Sequence, residues 1–321
     1  MPQDAPLVAI ITPVYNGADY LAETMDCVQA QTYPNLVHVV LDNASTDATP
    51  EIISRYTNGR VPVITARNTE TVTLNDNWDR AVKMAPREAQ WVRVLCADDK
   101  IMPEYVAKTM AIAAANPNVV VIATGVQLQD EVRVSNWEPG VSVMSGREAA
   151  RRIFMDEGEI VGSHLMLRAD AVNKRDPHYN TNYLWADTEL GFFVMQYGDW
   201  AGTTEILAWT RIHEGSVTHK TMHVWNNHFI DWLRYIHDYG RWAMNPEQFA
   251  AHRRAFLRYY LRRMLRWRMK PGSGPMVERH FKLIGELDTP PTPFDFADAV
   301  ADLALKRVGL RTPVRGGFPL G

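Results

Sequence analysis

Long apolar runs are missing from this chain of 321 residues. No window of about 18 uninterrupted apolar positions occurs, so a membrane-spanning helix is not expected. Cysteine is nearly absent: Cys27 and Cys96 are the only two, both in stretches that read as buried elements. That argues against a disulfide framework and a cysteine zinc site, and fits a reducing cytoplasm. An excess of charge is missing too. The 34 basic and 37 acidic side chains leave a net charge of −3, so no nucleic-acid partner is expected and any basic patch must be local. The opening stretch from Met1 to Asn16 lacks a basic region and runs straight into a strand pattern, so no signal peptide is expected. A glycine-rich phosphate loop with a basic residue is also lacking after that strand, where Thr12-Pro13-Val14-Tyr15 stands instead. This disfavours a nucleotidyltransferase. What remains is ordinary globular material, 46% hydrophobic and 22% charged, enough for one large domain or a domain with an appendage.

Up to about Gly125, short apolar runs alternate with helical patterns. Strands are expected over Leu7–Thr12, Val37–Leu41, Val61–Thr65, Trp91–Cys96 and Val119–Thr124. Helices are expected over Tyr20–Gln31, Thr46–Tyr56, Leu74–Met84 and Pro103–Ala115. This rhythm predicts an α/β fold with a Rossmann-like, mostly parallel sheet covered on both faces. Ligands on such sheets bind beyond the carboxyl ends of the strands. The polar residues gather there: Thr12, Tyr15 and Asn16, then Asp42 and Asn43, Arg67 and Asn68, and finally Asp98 and Asp99. After Gly125 the rhythm changes. Ser145 to Glu148 reads as a capping box for a helix reaching Phe154, Gly162–Arg168 as a strand, Asp187–Tyr197 as a helix and Leu207–Ile212 as a strand. From Met222 the pattern turns helical and aromatic, with Trp225, Phe229, Trp232, Ile236, Tyr239 and Trp242 on one stripe, as core packing or a subunit interface. A proline-rich linker, Asp288–Pro293, precedes a helix over Phe296–Val308 and a loosely held tail from Arg311.

Asp98 and Asp99 directly follow the fourth strand. Adjacent acids there repel each other and cost desolvation energy, a conflict that a hard divalent cation would remove. Taken alone, the pair favours a solvated turn opening the next helix, because acids often stand there.

Three ordered motifs decide between these readings: Thr12-Pro13-Val14-Tyr15-Asn16-Gly17, Asp42-Asn43-Ala44-Ser45-Thr46-Asp47-Ala48-Thr49, and Cys96-Ala97-Asp98-Asp99. Together they resemble the signatures of family 2 glycosyltransferases with the GT-A fold, over residues 7 to about 217. The resemblance implies an inverting transfer of a sugar from a nucleotide donor. It implies Asp99 as a ligand of Mn²⁺ or Mg²⁺, with Asp98 facing the donor's ribose or sugar. Cys96 stands where many relatives carry a further acid. By the same resemblance Asp42 accepts the uracil imide N–H, while Thr12, Pro13 and Tyr15 form the wall on which the base packs. Arg80, in the segment Leu74 to Ala81, is a candidate phosphate partner; Asp79 stands where relatives often carry Asn. The inverting base aligns with Asp187, with Ala186 replacing the usual Glu and Glu189 as rival; an N-terminal helix charge is the plainer reading of Asp187. Trp185 and His164 are acceptor-site candidates. The segment Arg211-Ile212-His213-Glu214-Gly215-Ser216 resembles the family's R-x-H-x-x-S, which makes His213 a further metal or diphosphate ligand.

The domain scheme implied is a catalytic unit over 1–220, divided into a nucleotide-binding half (1–125) and an acceptor-binding half (126–220), with a helical C-terminal extension over 221–321. Within that extension, residues 251–270 hold eight Lys or Arg and no acid. Arg254, Arg258, Arg262 and Arg266 step along one side, opposite Phe256, Leu257, Tyr260, Leu261 and Met264. This is the pattern of a basic amphipathic helix at an anionic membrane surface, and also of an ordinary helix packed on its neighbours. The expected protein is thus a cytoplasmic enzyme, peripheral on the inner face of the membrane. It would take a UDP-sugar donor and a glycan or lipid-linked acceptor in bacterial surface polysaccharide synthesis. The alternatives are a non-catalytic nucleotide-sugar binder and a membrane-associated scaffold.

Overall fold

The computed structural model describes residues 5–128, 131–134, 139–157, 164–213, 225–287 and 289–310. Two compact units are present: 1–149 with 159–212, and 150–158 with 213–321.

In the first unit the expected α/β rhythm is realised. The elements run β1 (Val8–Val14), α1 (Leu21–Gln29), β2 (Leu36–Asp42), α2 (Thr49–Ser54), β3 (Val63–Arg67), α3 (Leu74–Lys83) and β4 (Trp91–Val94). A short β5 (Lys100–Ile101), α4 (Tyr105–Ala115), β6 (Val119–Leu128), β7 (Glu131–Arg133) and β8 (Val141–Ser145) follow. Next come α5 (Gly146–Phe154), β9 (Met166–Arg168), α6 (Ala169–Val172), α7 (Ala186–Met195) and β10 (Asp199–Thr210). All seven residues of β1 and of β2 are buried, which is why both read as continuous apolar runs rather than alternating ones.

The strand order is β3-β2-β1-β4-β9-β6-β10-β5, with β7 on β6 and β8 on β10. β1 is parallel to β2 and β4, β2 to β3, and β6 to β10. The fifth long apolar run, β6, does not sit beside β4. The three-residue β9, from later in the chain, lies between them antiparallel to both. The parallel register aligns the strand ends, with Val14 beside Asp42 and Asp42 beside Arg67. The expected helix over Thr46–Tyr56 is shorter, because residues before Thr49 serve the loop described below.

The second unit holds four helices among its described residues besides the end of α5: α8 (His228–Ala243), α9 (Pro246–Arg268), α10 (Gly274–Leu287) and α11 (Pro293–Arg307). The helix at α10 had no counterpart in the sequence reading. The aromatic stripe is core: Phe229, fully buried, packs against Tyr260 at 5.2 Å and Trp267 at 5.1 Å between ring centroids. The basic side of α9 is not the solvated row that was expected. Arg258 bonds Asp298 (2.6 Å) and Asp302 (3.3 Å), and Arg262 bonds Asp302 (3.2 Å) and the Ala299 carbonyl (2.8 Å). The acids missing from residues 251–270 are supplied by α11, one helical turn apart, so the middle of the row is an internal ion-pair seam. The tail from Arg311 lies outside the described residues.

Candidate active site

Two loops at the carboxyl ends of β1 and β2 are laced together by the second motif. Ser45, Asp47 and Thr49 stand at alternate positions. Their side-chain oxygens accept three successive backbone N–H groups of the other loop: Asn16 to Ser45 Oγ (2.8 Å), Gly17 to Thr49 Oγ1 (2.9 Å) and Ala18 to Asp47 Oδ2 (3.0 Å). In return the Thr46 N–H donates to Asn16 Oδ1 at 2.8 Å. The spacing of that motif is therefore structural: it fixes the rim on which Tyr15 is presented, 52% exposed. Ala44 takes a left-handed φ of 58°, which costs a non-glycine residue roughly 1–2 kcal/mol. Flanking bonds hold it there: Ser45 N–H to Asp42 Oδ1 at 2.9 Å and Arg67 to the Ser45 carbonyl at 2.7 Å.

Asp42 ends β2 almost fully buried. Its Oδ2 lies 2.9 Å from Arg67 Nη1, yet the pair lacks hydrogen-bond alignment, so the contact is one of charge and that oxygen accepts no directed hydrogen bond. Thr12 and Pro13 are buried within β1. The Thr12 hydroxyl is 2.9 Å from His38 Nε2, so it serves the sheet interior while its neighbour Tyr15 faces outward. Arg80 is exposed and reaches Asn68 at 3.2 Å; Asn68 in turn bonds Asn43 and Asn77, both at 2.8 Å. Asp79 accepts the His178 backbone N–H (2.6 Å) and pairs with Lys83 (2.8 Å), which ties α3 to the segment before α7.

Beyond β4, ligand atoms of Cys96, Asp98 and Asp99 lie within 4.8 Å of one another. Asp99 is buried; its Oδ1 accepts the Arg211 backbone N–H at 3.2 Å and its Oδ2 the Thr210 hydroxyl at 3.4 Å. Burial, with the Asp98 charge beside it, pushes the Asp99 carboxyl up to about 7. Desolvation and the charges of Asp99, Asp98 and Asp187 hold the Cys96 thiol well above its ordinary value. Two carboxylates side by side fit a hard divalent cation, whose charge would remove their mutual repulsion; a thiol matches Mg²⁺ or Mn²⁺ poorly.

Asp187, in the first turn of α7, accepts the Thr188 N–H at 2.8 Å. It is near enough to act electrostatically on Cys96 and on the buried Tyr179. Its rival Glu189 is 1% exposed and held in a two-pronged pair with Arg175, at 2.7 and 2.6 Å. Trp185, the residue before α7, is partly exposed. His164 is 2% exposed, with Nδ1 3.1 Å from Arg93 and Nε2 hydrogen-bonded with Thr210. His213 follows β10 and belongs to the second unit, partly exposed. Ser216 lies outside the described residues. The Arg211 side chain pairs with Glu23 (3.0 Å) and lies over the Tyr20 ring (4.3 Å).

Arg93 and Thr210 also stand at this site, although no motif singles out either residue. The signal for Arg93 was present: a charged residue in the middle of an otherwise apolar strand.

A match to the family model for glycosyl transferase family 2 covers residues 9–175, just over half of the chain. The chain belongs to that family. Among curated relatives, TuaG of Bacillus subtilis (strain 168), a glycosyltransferase whose name refers to teichuronic acid biosynthesis, is 30% identical over 107 residues, 33% of this chain and 41% of TuaG. GlyG of Streptococcus pneumoniae serotype 4, a glycosyltransferase, is 26% identical over 106 residues, 32% of this chain and 34% of GlyG. The chain thus spans less than half the length of these relatives. Among solved structures, S. aureus TarS 1-349 in complex with UDP-GlcNAc superposes with a TM-score of 0.65 at 15% identity, over 88% of this chain and 80% of that one. The mannosyltransferase PcManGT from Pyrobaculum calidifontis, in complex with GDP-Man and Mn²⁺, gives 0.53 at 18% identity, over 98% and 78%. The fold is of the GT-A type.

Proposed function

We propose that this chain is an inverting glycosyltransferase that moves a sugar from a UDP-sugar to a hydroxyl of a glycan or lipid-linked acceptor in surface polysaccharide synthesis. The observation that carries the reading is the grouping of carboxylates beyond the carboxyl ends of β2 and β4, the two parallel neighbours of β1. Asp42 ends β2, Asp98 and Asp99 follow β4, and Asp187 acts electrostatically on the same Cys96 as that pair. UDP-GlcNAc bound to TarS and the name of TuaG support the donor class and the setting.

In this reading the Asp42 carboxylate accepts the imide N–H of the base, a task suited to a buried oxygen that has charge beside it but no aligned donor. Tyr15 offers its exposed ring to the base, and the exposed Arg80 offers its guanidinium to phosphate. Asp98 and Asp99 would hold Mn²⁺ or Mg²⁺, which would supply Lewis-acid stabilisation of the negative charge on a diphosphate leaving group. Asp187 takes the proton of the attacking acceptor hydroxyl, opposite the leaving group, while the Arg175 pair removes Glu189 from that role. Trp185, beside Asp187, offers a stacking face for an acceptor sugar. Among the described residues no helix is long and apolar enough to cross a membrane. Proximity to an anionic surface rests on the exposed Arg254, Arg266, Arg268 and Lys270 rather than on the whole basic row.

The test is a screen of nucleotide sugars for binding and UDP release, with Mn²⁺ and after chelation. UDP-sugars are expected to bind, with release abolished by chelation and restored by Mn²⁺. Binding of no UDP-sugar would sink the donor assignment; binding without release to any glycan or lipid-linked acceptor would indicate a non-catalytic binder.

A further inference from the structure

Arg93 lies in β4 with no exposed surface. Its Nη1 donates to the Tyr105 hydroxyl at 2.6 Å, its guanidinium lies 4.2 Å over the Tyr105 ring, and its Nη2 is 3.1 Å from His164 Nδ1. Its charge is therefore met by dipoles and a ring face, with no carboxylate in contact among the described residues. A buried cation held this way is costly, and replacing it by an apolar residue would stabilise many folds. Its position suggests what it is kept for: His164 Nε2 bonds Thr210 Oγ1, and Thr210 faces Asp99 Oδ2 at 3.4 Å.

We infer that Arg93 is a positioning residue for Asp99, setting the direction of a hydrogen-bond chain that runs through His164 and Thr210 to the carboxylate. The direction follows from donor chemistry. A guanidinium has five N–H groups and no acceptor. The bond from Arg93 to His164 Nδ1 therefore requires Nδ1 to carry a bare lone pair. The imidazole proton then sits on Nε2 and is donated to Thr210 Oγ1. With its oxygen occupied as acceptor, the Thr210 hydroxyl turns its own hydrogen to Asp99 Oδ2. The opposite tautomer and the imidazolium both point an N–H at an N–H of Arg93, so the buried cation excludes both. His164 Nε2 is 3.9 Å from Asp99 Oδ2, too far to bond it directly, which is why the hydroxyl stands between them. Asp99 thus receives one donor on each oxygen, the Arg211 backbone N–H and the Thr210 hydroxyl. These fix the carboxylate plane and leave further lone pairs for a ligand. His164 is in consequence a fixed relay rather than a base or an acceptor-binding group.

This role assumes the metal reading of Asp99 proposed above, and two measurements separate the two. The first needs no metal: ring ¹⁵N NMR of the full chain, with the His164 signal assigned by its loss in His164→Gln. The expected result is an unprotonated Nδ1 and a protonated Nε2 in the wild type, with that preference lost in Arg93→Met. An Nδ1–H tautomer or an imidazolium in the wild type would overturn the inference. The second is Mn²⁺ binding in the presence of UDP, read from the electron-spin resonance of free Mn²⁺. Thr210→Val, nearly isosteric but without the hydroxyl, is expected to weaken Mn²⁺ by about tenfold or more, as removal of an orienting partner does elsewhere. Thr210→Ser is expected to restore it. Equal affinity in wild type and Thr210→Val, both with unchanged melting, overturns the positioning role. A wild type that binds no Mn²⁺ counts instead against the metal reading, and the tautomer then decides the direction of the chain by itself.

Discussion

Replacing Asp187 by Asn, set against replacing Glu189 by Gln, tests the assignment of the base because the structure gives two neighbouring acids opposite vulnerabilities. Asp187 is partly exposed at the start of α7, and its Oδ1 accepts the Thr188 N–H at 2.8 Å, a bond that an Asn oxygen can keep. Asp187→Asn is therefore expected to melt within a degree or two of the wild type. It removes the proton acceptor, and loss of a positioned general base costs about 10²–10⁴ in rate. Glu189 is 1% exposed and both its oxygens face Arg175. Breaking a buried pair by neutralising one partner costs on the order of 3–5 kcal/mol. Arg175 keeps 22% of its side chain in water and retains its contacts with the His178 carbonyl and the Phe193 ring, which argues for a cost below that range, about 2–3 kcal/mol. For a unit of this size that is a fall in Tm of about 4–12 °C. UDP release with a competent acceptor, alongside thermal unfolding and UDP binding, reads both effects. Asp187→Asn with more than a tenth of wild-type turnover would refute the assignment. So would a Glu189→Gln protein that melts like the wild type yet is inactive.

Asp42→Asn exchanges a charge-assisted acceptor for a neutral one and is expected to weaken UDP by roughly 10- to 100-fold, the equivalent of about 1.5–3 kcal/mol; calorimetric titration showing unchanged affinity would remove Asp42 from the nucleoside site. Burial holds His38 at about 3, below the ordinary 6.5, so the stability that comes with a neutral ring is complete above about 6.5 and is lost as pH falls toward 3. Between pH 7.5 and 5 the wild type should lose about 2 kcal/mol more than His38→Gln in denaturant unfolding; parallel losses would show that the ring charges without penalty. In the second unit Asp302 has no exposed surface and faces Arg258, Arg262 and Lys306. Asp302→Asn is expected to cost about 3–5 kcal/mol in thermal unfolding, and a change under about 1 kcal/mol would mean that the three cations find other partners.

Much of the first unit was legible in the sequence because its strands are short apolar runs with polar ends. β1, β2 and β4 fall where such runs stand, and their parallel direction brings Asp42, Asp98 and Asp99 toward one end of the sheet. The Asp47 and Thr49 motif positions were legible as a pattern, but their work was not. Three alternate acceptors meeting three consecutive N–H groups is a relation between two loops, and neither loop states it alone. His164 shows the same limit. A histidine before a strand reads as a surface candidate until Arg93 and Thr210 close on both of its nitrogens.

The sequence by itself determined the family, the α/β alternation and the placing of the acids just after their strands, since those depend on side-chain period and chain direction, both local. Tertiary structure alone decided the rest. It set β9 antiparallel between β4 and β6, although β6 is the next long apolar run in the chain. It gave Glu189 to Arg175, and it turned Arg258 and Arg262 of a basic helix onto Asp298 and Asp302. In each case the deciding quantity is the identity of a partner distant in the chain. Burial makes that partner matter, because a charge or backbone edge taken out of water must be met by whatever the fold brings beside it.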